Sequence, residues 1–391
     1  MFTIDAESKR MRSWDIFCTV VDNYGDVGVS WRLARQLAAE HGARVRLWLD
    51  DLAPLARLCP GVAPRLDAQR HLGVEIRWWR EPFAPVEPAD IVVEAFACNP
   101  PAAYVAAMAA RQPKPAWINL EYLSAENWVL GCHGLPSPHP SLPLVKHFFF
   151  PGFVAGTGGL LGERELAQAR TRFQGSADEQ AQFWREIGVA APAPGEFQVS
   201  LFCYPHEGIV GLLRAWAAAP APLRCLVPEG TASQALQGFF GSASLAAGTV
   251  LRSGNLNVCV FPFLDQDRYD RLLWACDFNL VRGEDSFVRA QWAARPMLWQ
   301  IYPQQEDAHW PKLQAFLDLY CRGMHAPAAA SLRGMWEAWN RADAAGAESA
   351  WTDWSSHLPE LQRHARRWAE QLTGIGSLAN NLALFCENLL K

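Results

Sequence analysis

Residues 278–302 constrain the fold of this chain more than any other stretch. The apolar run FNLV at 278–281 predicts a buried strand, which Gly283 breaks. Asp285 and Ser286 are helix N-cap residue types, and 287–294 predicts a helix that Pro296 stops. The run MLWQIY at 297–302 predicts the next strand. Strand, tight turn, helix and strand in such close succession call for parallel strands joined by a helical crossover. The start of that helix leaves backbone N–H groups free and carries partial positive charge, which suits a phosphate. Arg282 adds a cation beside it. Glu284 and Asp285 belong in such a site only if they contact sugar or ribose hydroxyls. Otherwise they simply cap the helix and favour its dipole.

The same alternation occupies both halves of the chain. Residues 14–21 (WDIFCTVV) predict a buried first strand and 22–28 (DNYGDVG) a turn-rich loop. Residues 29–41 predict a helix with Trp31, Leu33, Ala34, Leu37 and Ala38 on one face, ended by Gly42, and 45–49 a second strand. The loop holds only Gly25 and Gly28, so it lacks a dinucleotide-binding G-x-G-x-x-G. Further strands are expected at 74–79, 91–95, 116–120 and 147–150, with a helix at 101–111 and a loop at 131–143. A polar helical stretch at 163–188 leads to the linker APAPG at 191–195. Beyond it the pattern restarts, with strands at 197–204, 224–227 and 258–261. Helices are expected at 207–217, within 231–240 and at 268–275. After residue 306 the chain looks helical, and 377–390 is apolar at helical spacing.

The expected architecture is α/β: a GT-B glycosyltransferase fold, two Rossmann-like domains facing across a cleft, with C-terminal helices. Residues 1–10 form a loose N-terminal extension in this scheme. Residues 11–189 form the first domain, completed by a C-terminal helix at about 368–391, and 196–367 form the second. Two-domain dehydrogenases and binding proteins share this coarse pattern, so fold alone does not decide function. A net charge of −5 argues against a general nucleic-acid surface. The ten cysteines include no C-x-x-C pair, which fits reduced core thiols in a cytoplasmic protein. The first ten residues lack a signal-peptide apolar segment, and no apolar run reaches the length of a membrane span.

Two stretches, 14–37 (WDIFCTVVDNYGDVGVSWRLARQL) and 282–304 (RGEDSFVRAQWAARPMLWQIYPQ), closely resemble the EarP family, and the likeness runs from about residue 11 to the C-terminus. These are bacterial rhamnosyltransferases that modify an arginine of translation elongation factor P. The resemblance implies dTDP-β-L-rhamnose as donor, inversion at the anomeric carbon, and neither metal nor cofactor. It also implies activation of the factor for ribosomes stalled at polyproline. By position it implies Asp22, Asp26 and Glu284 as catalytic residues, with Asp26 the general base. It implies that Phe202, Tyr204, Phe263 and Gln266 enclose and read the thymine. It implies donor contacts from Arg282, Glu284, Asp285, Ser286 and Tyr302, with Gln304 in the same motif.

The residue chemistry is consistent with that expectation. A guanidinium is planar and effectively always protonated, so its nitrogen must lose a proton as it attacks. Two carboxylates on one short loop can grip it, and one can take the proton. The plainer alternative makes Asp22 an Asx-turn residue and Asp26 a helix cap. Phe202 and Phe263 could equally be core aromatics. Asp265–Gln266–Asp267 has the spacing of a D-x-D metal pair but is expected to lead a helix. The competing functions are an NAD-dependent oxidoreductase, with Asp50 as a weak ribose partner, and a non-enzymatic translation-factor binding protein.

Overall fold

The computed structural model describes residues 11–22, 24–241 and 245–391; the expected extension at 1–10 lies outside them. The first sheet contains β1 (Ser13–Cys18), β2 (Arg44–Leu49), β3 (Ala68–His71), β4 (Val74–Trp78), β5 (Ile91–Ala95), β6 (Ala116–Leu120), β7 (Pro136–Pro138) and β8 (Val145–Phe149). Their order is β3-β4-β2-β1-β5-β6-β8-β7. The second sheet contains β9 (Phe197–Leu201), β10 (Leu223–Pro228), β11 (Val250–Ser253), β12 (Leu256–Phe261), β13 (Phe278–Arg282) and β14 (Met297–Gln300). Their order is β11-β12-β10-β9-β13-β14. Pairing is parallel except at β3–β4, β7–β8 and β11–β12.

The central strands β5, β6 and β13 are apolar runs because helices cover both faces of a parallel sheet. The antiparallel strands β3, β7 and β11 are an outcome the sequence pattern does not predict, and β7 falls inside the expected 131–143 loop. These edge strands are short and alternate between exposed and half-buried residues, so they carry little hydrophobic signal. The polar stretch at 163–188 divides into two helices, Leu166–Gly175 and Ala177–Glu186, with Ser176 capping the second.

In each sheet the chain reverses direction beside its first strand: β1 lies between β2 and β5, and β9 between β10 and β13. Crevices form at the carboxyl ends of strands at such switch points. The loops after β1, β6, β9, β12 and β13 supply the site described below. The helix Leu358–Thr373 packs on the second half, where the Trp368 indole donates to the Gln291 side-chain oxygen at 2.8 Å. The last helix, Leu378–Leu389, returns to the first half. There the Leu378 N–H donates to the Leu160 carbonyl at 2.8 Å, and the Phe385 ring lies 5.5 Å from Phe149. None of the ten cysteines is paired.

Candidate active site

The helix after β1 starts at Gly25 rather than at residue 29, so Asp26 lies in its first turn. Asp26 does not cap that helix. Its Oδ2 reaches back to accept the N–H groups of Val21 at 3.1 Å and Asp22 at 2.9 Å, while its Oδ1 accepts the Tyr122 hydroxyl at 3.3 Å. Only 3% of Asp26 is exposed, and burial raises its carboxyl above the ordinary range despite these donors. The result is a carboxylate held in one orientation and more basic than one in water.

Asp22 remains in the loop, and its Oδ2 accepts the Tyr204 hydroxyl from the second half at 3.0 Å. Two glycines make room for it. A Cβ on Gly25 or Gly283 would come within 2.7 Å or 3.1 Å of that oxygen, and Gly283 also has φ +63°. Glu284 bridges in the opposite direction: its Oε2 accepts the Leu123 N–H, just past β6, at 2.9 Å. Burial pushes the Glu284 carboxyl up to about 7, and nearby Asp26 and Asp285 add to the rise. Side chains from both halves therefore meet here, and Glu284 can change charge near neutral pH.

Phe202 and Tyr204 lie beyond the end of β9, not within a strand running to 204. The Arg282 guanidinium sits over both rings, 4.6 Å from the Phe202 centroid and 4.4 Å from that of Tyr204. The Phe263 ring lies 5.0 Å from Tyr24 and 4.5 Å from the Arg57 guanidinium. Tyr302 is 55% exposed and meets Tyr204 edge-on at 5.5 Å. The crossover helix runs from Asp285 to Trp292, with Glu284 at its N-cap and no side-chain cap bond. Ser286 closes the turn, donating its hydroxyl to the Arg282 carbonyl and accepting the Arg282 N–H at 3.2 Å. Asp285 faces the junction between the halves, where it accepts Arg32 Nε at 2.8 Å and the Gln266 amide at 3.1 Å.

A pocket that opens to solvent joins these groups, with polar side chains converging among aromatic rings. Asp22, Phe202, Phe263, Gln266, Arg282, Glu284, Asp285 and Ser286 all line it. Asp26, Tyr204, Tyr302 and Gln304 do not line it; Asp26 and Tyr204 adjoin it through Asp22. Gln304 is exposed, and its backbone N–H donates to His309 Nδ1 at 3.1 Å. Asp50, the weak ribose candidate, accepts the Val20 N–H at 2.8 Å. Asp265 caps the helix Gln266–Ala275 through the Arg268 N–H at 2.8 Å, in keeping with its expected place at a helix start. Among the described residues no group of three or more His, Cys, Asp or Glu side chains is arranged to hold a metal ion, and no helix is long and apolar enough to cross a membrane.

Sequence reasoning missed Tyr24, Arg32, Tyr122, Leu123 and Tyr269, whose ring lines the pocket 5.7 Å from that of Phe202. Tyr122 and Leu123 follow the carboxyl end of β6, the kind of position where α/β sheets place ligands, and that signal could have found them. Arg32 carried no local signal, because its hydrogen-bond partners Asp270 and Asp285 lie more than two hundred residues away.

The chain is 52% identical over 378 residues to a protein-arginine rhamnosyltransferase of Pseudomonas putida, covering 97% of this chain and 99% of the relative. It is 50% identical over 375 residues to one of Pseudomonas aeruginosa, covering 96% and 99%. A solved structure described as "Structural basis for EarP-mediated arginine glycosylation of translation elongation factor EF-P" aligns with a TM-score of 0.68 at 38% identity, over 96% of this chain and 99% of that one. A glycosyltransferase structure from Rickettsia africae aligns with a TM-score of 0.52 at 8% identity, over 97% and 99%, which speaks to fold alone. The two parallel-rich sheets thus have the GT-B glycosyltransferase architecture. The family model described as "Elongation-Factor P (EF-P) rhamnosyltransferase EarP" matches residues 14–387, and the chain belongs to the EarP family.

Proposed function

We propose that this protein transfers L-rhamnose from dTDP-β-L-rhamnose to an arginine side chain of translation elongation factor P, inverting the anomeric carbon. The observation that carries the proposal is the buried Asp26 carboxylate, raised by burial and tied to the Asp22 backbone, beside a pocket that holds Arg282 and several aromatic rings. The acceptor is a cation, which Asp22 and Asp26 suit. The donor is a nucleotide diphosphate, which Arg282 and the start of the Asp285–Trp292 helix suit.

In the reaction a guanidinium nitrogen bonds to the anomeric carbon as the bond from that carbon to the phosphate oxygen breaks. The nitrogen's proton passes to Asp26, and the bonding pair leaves with the phosphate. Attack from the face opposite the leaving group inverts the centre. Arg282 and the free N–H groups of the crossover helix take up the charge that develops on the diphosphate. Glu284 holds a hydroxyl of the sugar or ribose, and Phe202 and Phe263 flank the base. Because the acceptor works on the ribosome, the reaction belongs to the cytoplasm, and its product is the factor activated for stalled polyproline.

Mass spectrometry of elongation factor P incubated with the enzyme and dTDP-rhamnose tests the proposal. The expected result is one deoxyhexose on one arginine; an unmodified factor would reject it. The same reaction in excess EDTA is expected to proceed at an unchanged rate, since the groups assigned to the diphosphate are all protein donors. Abolition by chelator with rescue by magnesium would reject the metal-free mechanism. Ser286→Ala is expected to weaken dTDP by roughly fivefold to tenfold, the scale of one lost hydrogen bond, because its hydroxyl holds the turn under the phosphate site. Asp26→Ala is expected to leave dTDP affinity nearly intact. Calorimetric titration of both variants would reveal the opposite order if the two halves of the site were misassigned.

A further inference from the structure

One face of the Gly25–His41 helix docks on the second half of the molecule. Gly28 and Arg32 lie one turn apart on that face. The Gly28 carbonyl accepts the Gln266 amide nitrogen at 3.1 Å, and Asp285 Oδ2 accepts the same amide at 3.1 Å. Arg32 Nε donates to the other Asp285 oxygen at 2.8 Å, so the carboxylate is held in place from the first half. A Cβ at Gly28 would lie 3.1 Å from the Gln266 amide nitrogen and 3.2 Å from Asp285 Oδ2, which makes glycine the residue that permits this approach. The Gln266 side-chain oxygen is left buried without a hydrogen-bond partner, in a residue that is 3% exposed and lines the pocket.

An amide side chain can ordinarily rotate to present either its oxygen or its N–H₂ group. This one cannot, because rotation would set its oxygen against a carboxylate and a carbonyl. We infer that Arg32 is a positioning residue: with the Gly28 carbonyl, and through Asp285, it locks Gln266 with its oxygen toward the nucleotide pocket. The pocket then selects a pyrimidine with a ring N–H and rejects one with a bare ring nitrogen. Thymine and uracil offer an imide N–H to that oxygen. Cytosine offers an unprotonated nitrogen, so two acceptors would face each other. The helix that holds the lock also carries Asp26, so one element positions both base selection and the proposed base catalyst.

The inference rests on the donor proposal above, and one titration series separates the two. Wild-type protein is titrated with dTDP, dUDP and dCDP, followed by Asp285→Asn and Arg32→Lys. Wild type is expected to bind dTDP and dUDP alike and dCDP roughly tenfold to a hundredfold more weakly, the scale of an unmade buried hydrogen bond. Asp285→Asn can donate its own amide to Gln266 and leaves only the Gly28 carbonyl to oppose rotation, so the preference for dTDP over dCDP should fall severalfold. The Arg32 guanidinium also donates to both oxygens of Asp270, at 3.1 Å and 3.0 Å; Arg32→Lys cannot hold Asp270 and Asp285 together in this way, so it should erode the preference severalfold. Using the ratio cancels any loss of affinity common to both nucleotides. If Arg32→Lys does not fold, Asp285→Asn alone decides. A wild-type protein that binds dTDP and dCDP equally, or an Asp285→Asn protein that keeps the wild-type ratio, overturns the lock and leaves the donor proposal standing. A wild-type protein that binds none of the three overturns both.

Discussion

Asp26→Asn is expected to lose about a hundredfold or more in turnover while keeping its fold and its affinity for dTDP. The asparagine oxygen can still accept the N–H groups of Val21 and Asp22, so the loop should hold its shape. What disappears is the proton acceptor. A guanidinium that cannot shed its proton stays a cation with no lone pair to offer the anomeric carbon. Burial raises the Asp26 carboxyl, so the native residue is a better base than an exposed aspartate. Turnover measured with elongation factor P and dTDP-rhamnose, beside a dTDP titration, checks both halves of the expectation. Near-normal turnover would remove Asp26 from the base role, and lost dTDP binding would move it to the donor half.

Asp270→Ala is expected to destabilise the protein by about 3–5 kcal/mol. Arg32 and Arg289 are 1% and 2% exposed, and Asp270 lies between them. Its two oxygens accept Arg32 at 3.0 Å and 3.1 Å and Arg289 at 3.0 Å and 2.6 Å. Without that carboxylate, two buried like charges face each other with only Asp285 and Glu163 left to balance them. Removing one member of a buried ionic cluster costs far more than the cluster contributes as a whole, because the charges left behind are neither paired nor hydrated. Burial alone would raise the Glu163 carboxyl, but Arg289 and Arg32 pull it down to about 2. Its share of stability is therefore present above the ordinary carboxylate range and is lost only as pH falls toward 2. The fall in melting temperature of Asp270→Ala at neutral pH measures the effect, and a variant as stable as wild type would show that the cluster is dispensable.

Much of this molecule is legible from its amino acids. The strands β1, β5, β6 and β13 are apolar runs whose only stable place is the middle of a covered parallel sheet. Gly283 and Pro296 punctuate the crossover because backbone conformation is a local property. The motifs at 14–37 and 282–304 are long enough to carry the family by themselves. The edge strands β3, β7 and β11 are not legible, since a short, half-exposed segment pairs only when a neighbouring edge is there to receive it.

Within the site, the sequence by itself named the residue types: carboxylates near β1, aromatics after β9, and a basic, acidic and hydroxyl cluster after β13. What each of them touches was decided by tertiary structure. Asp26 resembled a helix cap and proved to be a buried carboxylate facing back into its loop. Asp285 resembled a cap or a hydroxyl ligand and proved to be the partner of Arg32. Ser286 resembled a phosphate donor and, in this conformation, closes its own turn. Propensity and spacing act over a few residues, whereas the direction of a buried polar group depends on which distant donor or acceptor the packing brings beside it. Arg32 and Asp285 are 253 residues apart in the chain and 2.8 Å apart in space, a contact that only the docking of the two sheets creates.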